Sequence, residues 1–223
     1  MHNLFTAKNT TQAPRIIAHR GASAVEPENS LPAFDAAGAL GVWAIETDVY
    51  KTLDGTLVCF HNKRVDGKTN GEGEIASMRW DDLRRLKITC GNNLEAHDDN
   101  ELKIPTLAEY LSICKRHGSV PFIELKMPIA DEVIAAVRAA EMEERCVISS
   151  TSLSVLERAR VISRAVFIHL IFGDEGSFER LRGIGYSGLS FKIASLDDVP
   201  SGLIERTHDA GLRVCFRAAD TRE

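Results

Sequence analysis

The chain has 223 residues, of which 44% are hydrophobic and 26% are charged, and this length and composition suit a globular domain with a sizeable core. Its 27 basic and 32 acidic residues give a formal net charge of −5. No basic stretch is interleaved with aromatic residues, so nucleic-acid binding by a charged face is disfavoured. No apolar run approaches the ~18–20 residues of a membrane span. Segment 1–14 is polar, lacks the apolar core of a signal peptide and is interpreted as an N-terminal arm before one domain over 15–223.

The five cysteines are scattered and include no C-x-x-C pair. This spacing suits neither a disulfide framework nor a structural zinc site. Reduced thiols in the core are expected instead, and they indicate a cytoplasmic location.

Short apolar runs that suit β-strands alternate with segments that suit helices. The strand candidates are 15–18, 42–49, 56–60, 120–125, 146–149, 166–171, 188–191 and 212–216. A turn at Asp54-Gly55 predicts an antiparallel hairpin between the second and third runs. The alternation predicts a parallel sheet with helices outside it. Residues 62–104 are polar and Gly-rich, and they are predicted to form an insertion over one end of the sheet.

Several predicted helices have recognisable ends. Asn29 or Ser30 can cap a helix that Gly41 closes. Capping boxes are predicted at 106–109 and 154–157, where Thr or Ser is followed three residues later by Glu.

Polar side chains stand at or just after the ends of four predicted strands. In a parallel α/β fold the carboxyl ends of the strands open onto one face, so these side chains are expected to meet there. They are His19, Arg20, Glu46, Asp48, His61, Glu124 and Lys126.

Glu46 and Asp48 are two residues apart on one predicted strand, so both carboxylates point to the same side. Buried carboxylates repel unless something neutralises them, and Mg²⁺ or Ca²⁺, which prefer oxygen ligands, would do so. Histidines suit acid–base chemistry at neutral pH, and Arg20 suits a phosphoryl oxygen. Each feature alone is more often structural, and Lys126 could simply pair with Glu124. Together they indicate metal-assisted phosphoryl transfer.

In order and spacing, residues 15 to 126 resemble the glycerophosphodiester phosphodiesterases. The motifs that carry the resemblance are His19-Arg20-Gly21, Pro27-Glu28-Asn29-Ser30, Glu46-Thr47-Asp48, Thr52-Leu53-Asp54-Gly55, 58–61, Thr69-Asn70-Gly71-Glu72-Gly73, Ile104-Pro105-Thr106-Leu107 and Glu124-Leu125-Lys126. From 127 to 216 the resemblance is limited to the strand–helix rhythm.

The resemblance implies a TIM (β/α)8-type barrel, with 62–104 as part of the inserted segment of the family. It implies cleavage of small glycerophosphodiesters to glycerol 3-phosphate and an alcohol. It also implies a divalent cation, Mg²⁺ or Ca²⁺, held by Glu46, Asp48 and Glu124.

The same resemblance implies roles for the other polar residues. His19 and His61 would form the acid–base pair, and Arg20 and Lys126 would hold the phosphate. Asn29 would contact the phosphate or metal region, or else cap its helix. The nucleophile is left open between water and the neighbouring glycerol hydroxyl, which would pass through a cyclic phosphate.

Three features depart from the family. Asn62 stands where the family usually has Asp, which keeps the side-chain shape but removes its charge. Arg217 stands where a Trp is expected, which puts the preference for the alcohol in question. The chain also stops at Glu223 with seven barrel strand candidates instead of eight. Three explanations compete: a truncated chain whose barrel lacks its last strand and helix, closure by a partner chain in a homo-oligomer, or a natural seven-stranded variant.

Two other functions are compatible with these residues. A phospholipase-type phosphodiesterase acts by internal hydroxyl attack, but no basic or apolar membrane-facing stretch supports a lipid substrate. The three departures would also suit a barrel that binds a phosphodiester with little or no turnover. The remaining histidines have no partner pattern and are expected at the surface or at helix ends; they are His2, His97, His117, His169 and His208.

Overall fold

The structure is a computed structural model that describes Leu4, residues 14–193 and residues 195–216. Arg217, the residue predicted to replace a pocket Trp, lies outside these residues. No helix in the described part of the chain is long and apolar enough to cross a membrane.

Every predicted apolar run contains a strand, and the observed ends differ from the predicted ones by two residues at most. The strands are β1 (Ile17–Ala18), β2 (Ala44–Lys51), β3 (Leu57–Cys59), β4 (Val120–Leu125), β5 (Val147–Ser150), β6 (Phe167–Gly173), β7 (Ser187–Phe191) and β8 (Arg213–Cys215). The sheet order is β1-β2-β4-β5-β6-β7-β8, and all of these neighbours are parallel. The short β3 pairs antiparallel with β2, which confirms the predicted hairpin.

Helices connect the parallel strands. They are α1 (Leu31–Ala39), α2 (Trp80–Leu83), α3 (Leu107–His117), α4 (Ala130–Ala139), α5 (Leu153–Ile162), α6 (Phe178–Ile184) and α7 (Leu203–Asp209). The capping box of Thr106 and Glu109 is confirmed at the start of α3. The box predicted at 154–157 is wrong, because α5 begins at Leu153 with Ser152 as its N-cap, which places Ser154 inside the first turn.

Alternation along the strands sends side chains to two cores. Residues such as Ile45, Ile123 and Ile148 pack on the helix side of the sheet. Their neighbours on the other face form a separate cluster inside the curl; its buried members are Ala44, Val120, Phe122, Val147 and Phe167. A parallel sheet buried on both faces is typical of α/β barrels. Polar residues that follow Ala44 at two-residue spacing therefore face the barrel interior.

The parallel sheet is curled but open. Among the described residues, β1 pairs only with β2 and β8 pairs only with β7. The seven predicted barrel strands are confirmed for this part of the chain, and the barrel they form is incomplete. Closure by a partner chain stays a prediction.

Residues 62–104 pack against the β2–β3 hairpin through a hydrophobic cluster that the two segments share. Its buried members are Tyr50, Val58, Phe60, Val65, Ile75, Leu83, Ile88, Leu102 and Ile104. The segment also contacts the loop between β1 and α1: Asn92 Nδ2 donates to the carbonyl of Ser23 at 3.2 Å, and His97 Nε2 lies 2.6 Å from Glu26. The insertion therefore sits beside the loop that leaves the carboxyl end of β1.

Candidate active site

Three carboxylates lie side by side at the carboxyl end of the sheet. Glu46 and Asp48 are on β2, and Asp48 pairs in register with Glu124 of β4. One oxygen from each residue lies within 4.8 Å of the others. Because Glu46 and Asp48 are only 6% and 1% exposed, water screens their repulsion poorly. The structure thus brings together the three residues predicted to hold a cation.

Burial governs the protonation of this cluster. It raises the pKa of Glu46 well above the ordinary value of 4.5, and the charge of Asp48 adds to the rise. Burial also raises the pKa of Glu124, although a hydrogen bond from Lys126 opposes it. A cation bound between these carboxylates would favour their ionised forms.

Two cationic side chains face the carboxylates. Lys126 Nζ lies 2.9 Å from Glu124 and 3.3 Å from Asp48. Burial lowers the pKa of Lys126, but Asp48 and Glu124 outweigh it, so the pKa is raised overall. Arg20 Nε is buried 3.6 Å from Asp48 and makes no hydrogen bond to the described residues. In such a site the two positive side chains can bind an anion, and the three carboxylates can bind a cation beside it.

The loop between β1 and α1 holds Arg20 in place with unusual backbone conformations. Arg20 and Asn29 have φ angles of 59° and 52°, in the left-handed region that non-glycine residues rarely adopt. The Asn29 N–H donates to the Arg20 carbonyl at 3.0 Å. A Cβ at Gly21 would lie 2.7 Å from the Ala33 backbone, so only glycine lets this loop pack on α1. Strain of this kind persists where the surroundings enforce it, often at functional sites.

Asn29 fixes the position of Asp48. Its Nδ2 donates to Asp48 Oδ2 at 2.9 Å, and its Oδ1 accepts from Thr47 Oγ1 at 2.7 Å. Ser30 caps α1 by accepting from the Ala33 N–H, so the capping role considered for Asn29 is wrong. Asn29 does contact the predicted metal region, and its contact with substrate stays a prediction.

The two predicted catalytic histidines adjoin residues bonded to the carboxylate cluster. The Phe60 N–H donates to the Asp48 carbonyl at 2.9 Å, which places the next residue, His61, at the site. His19 precedes Arg20, whose N–H donates to Glu46 Oε2 at 2.8 Å.

His61 makes a local hydrogen bond that bears on its chemistry. Its Nδ1 lies 2.8 Å from Asn62 Oδ1. With the amide oxygen assigned as acceptor, Nδ1 carries the hydrogen and Nε2 has a free lone pair. Asn62 therefore orients His61 as an aspartate would, without its charge.

Sequence reasoning did not single out Glu28 or Lys68. Glu28 Oε2 accepts from Arg20 Nη1 at 2.8 Å, and its Oε1 lies 3.3 Å from Lys68 Nζ. Burial raises the pKa of Glu28, but the bonds from Arg20 and Lys68 outweigh it, so the pKa is lowered overall. The Pro27-Glu28-Asn29-Ser30 motif offered a signal for Glu28. No local signal marks Lys68, because its position depends on how the insertion folds.

The expected surface or helix-end position is wrong for His169. This residue lies on β6, is 4% exposed and has its ring centroid 5.2 Å from that of Phe122. Burial lowers its pKa to about 3, so the ring is neutral at physiological pH. His117, at the end of α3, pairs with Asp35 at 2.7 Å as expected for a helix end.

The donor set suits a hard divalent cation. Glu46, Asp48 and Glu124 offer only carboxylate oxygens, which Mg²⁺ and Ca²⁺ prefer. Burial and the charge of Asp48 raise the pKa of Glu46 and of Glu124 even though Arg20 and Lys126 lie nearby, so a bound cation would still stabilise the ionised cluster. The residues present therefore fit a divalent metal.

The fold and site together define an α/β protein of the TIM-barrel type with three clustered carboxylates at the carboxyl end of its strands that could hold a divalent metal. The glycerophosphoryl diester phosphodiesterase family matches residues 19–216. This match extends well beyond residue 126, the end of the motifs noted in the sequence. The chain belongs to the glycerophosphoryl diester phosphodiesterase family.

Individual relatives agree with this assignment. The chain is 33% identical over 165 residues to a glycerophosphodiester phosphodiesterase of Caldanaerobacter subterraneus, an alignment that covers 70% of this chain and 66% of the relative. The chain therefore spans just under two thirds of the length of that curated relative.

Solved structures share the fold. The glycerophosphodiester phosphodiesterase of Agrobacterium tumefaciens has a TM-score of 0.77 at 25% identity, over 92% of this chain and 86% of that one. A phosphodiesterase of Oleispira antarctica, solved in complex with its product sn-glycerol-3-phosphate, has a TM-score of 0.78 at 24% identity, over 93% and 85%. The expected TIM-barrel type is thus confirmed.

Proposed function

We propose that this chain hydrolyses glycerophosphodiesters to glycerol 3-phosphate and an alcohol, with Mg²⁺ or Ca²⁺ as its cofactor. The observation that carries the proposal is the buried cluster of Glu46, Asp48 and Glu124, faced by Arg20 and Lys126. Such a site holds a cation and an anion together, as a phosphodiester bound beside a metal requires. The name of the Caldanaerobacter relative and the product in the Oleispira structure support the same reaction.

Arg20 and Lys126 are the phosphate-binding residues of this proposal. With a phosphodiester bound beside the carboxylates, both would face the phosphoryl oxygens on which charge builds during the reaction, and fixed positive groups there stabilise a transition state. When bound, the divalent cation would add further neutralisation of that charge. The Nε of Arg20, 3.6 Å from Asp48, makes no hydrogen bond within the described part of the chain, so this donor is available for a phosphate oxygen.

His19 and His61 supply the acid and the base. One takes a proton from the nucleophile, and the other gives a proton to the departing alcohol. In hydrolysis, the water oxygen bonds to phosphorus as the bond from phosphorus to the head-group oxygen breaks. Attack by the neighbouring glycerol hydroxyl would instead pass through a cyclic phosphate. Detection of that intermediate decides between the two nucleophiles.

The proposal includes a cytoplasmic location. Cys59, Cys114 and Cys146 are free and buried, and buried free thiols suit a reducing compartment. Fractionation of the native cells with an antibody to the chain tests the location.

The test of function is release of glycerol 3-phosphate from glycerophosphocholine and from glycerophosphoethanolamine. Each substrate is incubated with the full chain in Mg²⁺, in Ca²⁺ and in EDTA, beside a His19→Ala variant shown to be folded. We expect release that requires a divalent cation and is lost in the variant. No release under any condition would overturn the proposal. Binding of the phosphodiester without turnover would then favour a binding protein.

A further inference from the structure

Lys68 reaches the candidate site from the insertion. Its Nζ lies 3.3 Å from Glu28, the same carboxylate that accepts from Arg20 at 2.8 Å. Lys68 and His61 also line one small cleft, together with Glu28 and Asn29. Glu28 thus holds two cations beside the site, one from the loop after β1 and one from the insertion.

The other lysines of the insertion behave differently. Lys63 pairs with Glu74, Lys87 pairs with Asp99, and Lys103 donates to the Arg85 carbonyl. All of these partners lie within the insertion itself, whereas Lys68 bonds outside it, to the loop that carries Arg20.

The backbone of Lys68 is held in place by hydrogen bonds within the insertion. Its N–H donates to the Val65 carbonyl at 3.3 Å, and its carbonyl accepts from Thr89 at 2.9 Å. The ammonium has three N–H donors, and Glu28 is its one ion-pair partner among the described residues. The side chain is about one-third exposed, so donors remain for a ligand in the cleft.

We propose that Lys68 is a further substrate-binding residue, whose ammonium binds a non-bridging oxygen of the phosphodiester together with Arg20. This inference rests on the proposed function. Glu28 positions both cations, and its ionised form supports them. The substrate phosphate would then be held by the core of the barrel and by the insertion at once, so the insertion takes part in substrate binding.

The test compares the full chain with Lys68→Met, Lys68→Arg and the matched control Lys63→Met. The control removes a lysine from the same insertion, where it pairs with Glu74 and is two-thirds exposed. For glycerophosphocholine we expect Lys68→Met to raise KM about tenfold with kcat within about twofold, as for loss of one charge-assisted hydrogen bond. Lys68→Arg should restore KM, and Lys63→Met should match the wild type.

Calorimetric titration with sn-glycerol 3-phosphate in the presence of the cation gives a readout that does not need turnover. We expect about tenfold weaker binding by Lys68→Met and unchanged binding by Lys63→Met. The role of Lys68 would be overturned if Lys68→Met left both KM and the affinity for sn-glycerol 3-phosphate unchanged. It would also be overturned if the variant lowered kcat and the melting temperature together without changing KM, because that result indicates a structural role. If the wild type shows no turnover, the proposed function fails, and the titration still decides whether Lys68 binds the phosphate.

Discussion

Glu46 places an ionisable carboxyl group where almost no water reaches it. Burial and the nearby charge of Asp48 raise its pKa above the ordinary value of 4.5. Arg20 and Asn29, which stand beside the cluster, have left-handed backbone conformations. These features cost stability at single residues, which is common for residues of functional sites.

A first prediction concerns Glu46→Gln in the metal-free protein. Because the folded state favours the protonated carboxyl, Glu46 contributes stability in full below its unfolded-chain pKa, and this contribution is lost as pH rises through the raised folded-state pKa. Glutamine imitates the protonated form and still accepts the Arg20 N–H. We expect the variant to be more stable than the wild type at pH 8 by about 1–2 kcal/mol, with the difference shrinking towards pH 4.5.

Urea unfolding in EDTA at several pH values measures this difference. Glu144→Gln serves as the control, since Glu144 is exposed and its replacement should change little at any pH. A difference between Glu46→Gln and the wild type that is constant with pH, or that grows as pH falls, would contradict the prediction.

A second prediction concerns Asn62→Asp. The neutral amide of Asn62 lies 2.8 Å from His61 Nδ1, and a carboxylate there would stabilise the protonated ring during proton transfer. A charged partner strengthens such a bond by about 1 kcal/mol, so we expect kcat for glycerophosphocholine to rise about fivefold. Asn100→Asp, an exposed position in the insertion, should leave kcat unchanged. Equal rates for the wild type and Asn62→Asp would count against the role of His61.

At the scale of elements, the ends of helices and strands decide where the site residues lie. Ser30 ends the loop after β1 by capping α1, which leaves Asn29 free to hold Asp48. The β2–β3 hairpin returns His61 to the Asp48 end of β2.

The end of α4 lies away from the candidate site. There the N–H groups of Glu141 and Met142 donate to the carbonyls of Arg138 and Val137, both at 3.0 Å. These are the bonds of a Schellman motif.

That helix end gives a third prediction. Glu141 occupies the left-handed position of the motif with a φ of 60°, where glycine is preferred. Its ion pair with Lys115 is highly exposed and contributes little. We expect Glu141→Gly to raise the free energy of unfolding by about 0.5–1 kcal/mol, since relief of backbone strain exceeds the added entropy of the unfolded chain.

Urea denaturation at neutral pH tests this change. Glu144→Gly is the matched control, because Glu144 is an exposed neighbour with a negative φ, and it should be neutral or destabilising. A Glu141→Gly variant less stable than the wild type would show that the left-handed residue carries no strain.

At the scale of the whole molecule, the carboxylate site joins elements that are far apart in sequence. It links β2 to β4 through Asp48 and Glu124, and the loop after β1 joins it through the Arg20 N–H on Glu46. A ligand that binds these groups in the folded state alone stabilises the entire fold.

This gives a fourth prediction. At a cation concentration about 100 times its Kd, binding adds about 2.7 kcal/mol of stability, which for a chain of this size raises Tm by about 5–10 °C. Differential scanning calorimetry in Mg²⁺ or Ca²⁺ against EDTA measures the shift, with NaCl matched for ionic strength. Glu46→Gln should lose most of the shift. A shift of equal size in the variant would place the cation elsewhere.

Local patterns in the sequence determined the positions of the strands and part of the carboxylate cluster. The run 120–125, apolar except for Glu124, coincides with β4 because a strand buried on both faces needs mostly apolar residues. The two-residue spacing of Glu46 and Asp48 put both carboxylates on one face, and Asp54-Gly55 predicted the hairpin. The family resemblance then assigned Glu124, on another strand, to the same cluster.

The tertiary structure decided the contacts between residues that are distant in the chain. The sequence could not show that Asn29 holds Asp48, that Lys68 meets Glu28, or that His169 is buried against Phe122. Periodicity and capping depend on neighbours within a few residues, whereas these contacts depend on how the loop after β1, the insertion and the curled sheet pack together. That packing is the sum of many weak non-local interactions, and no short stretch of sequence contains it.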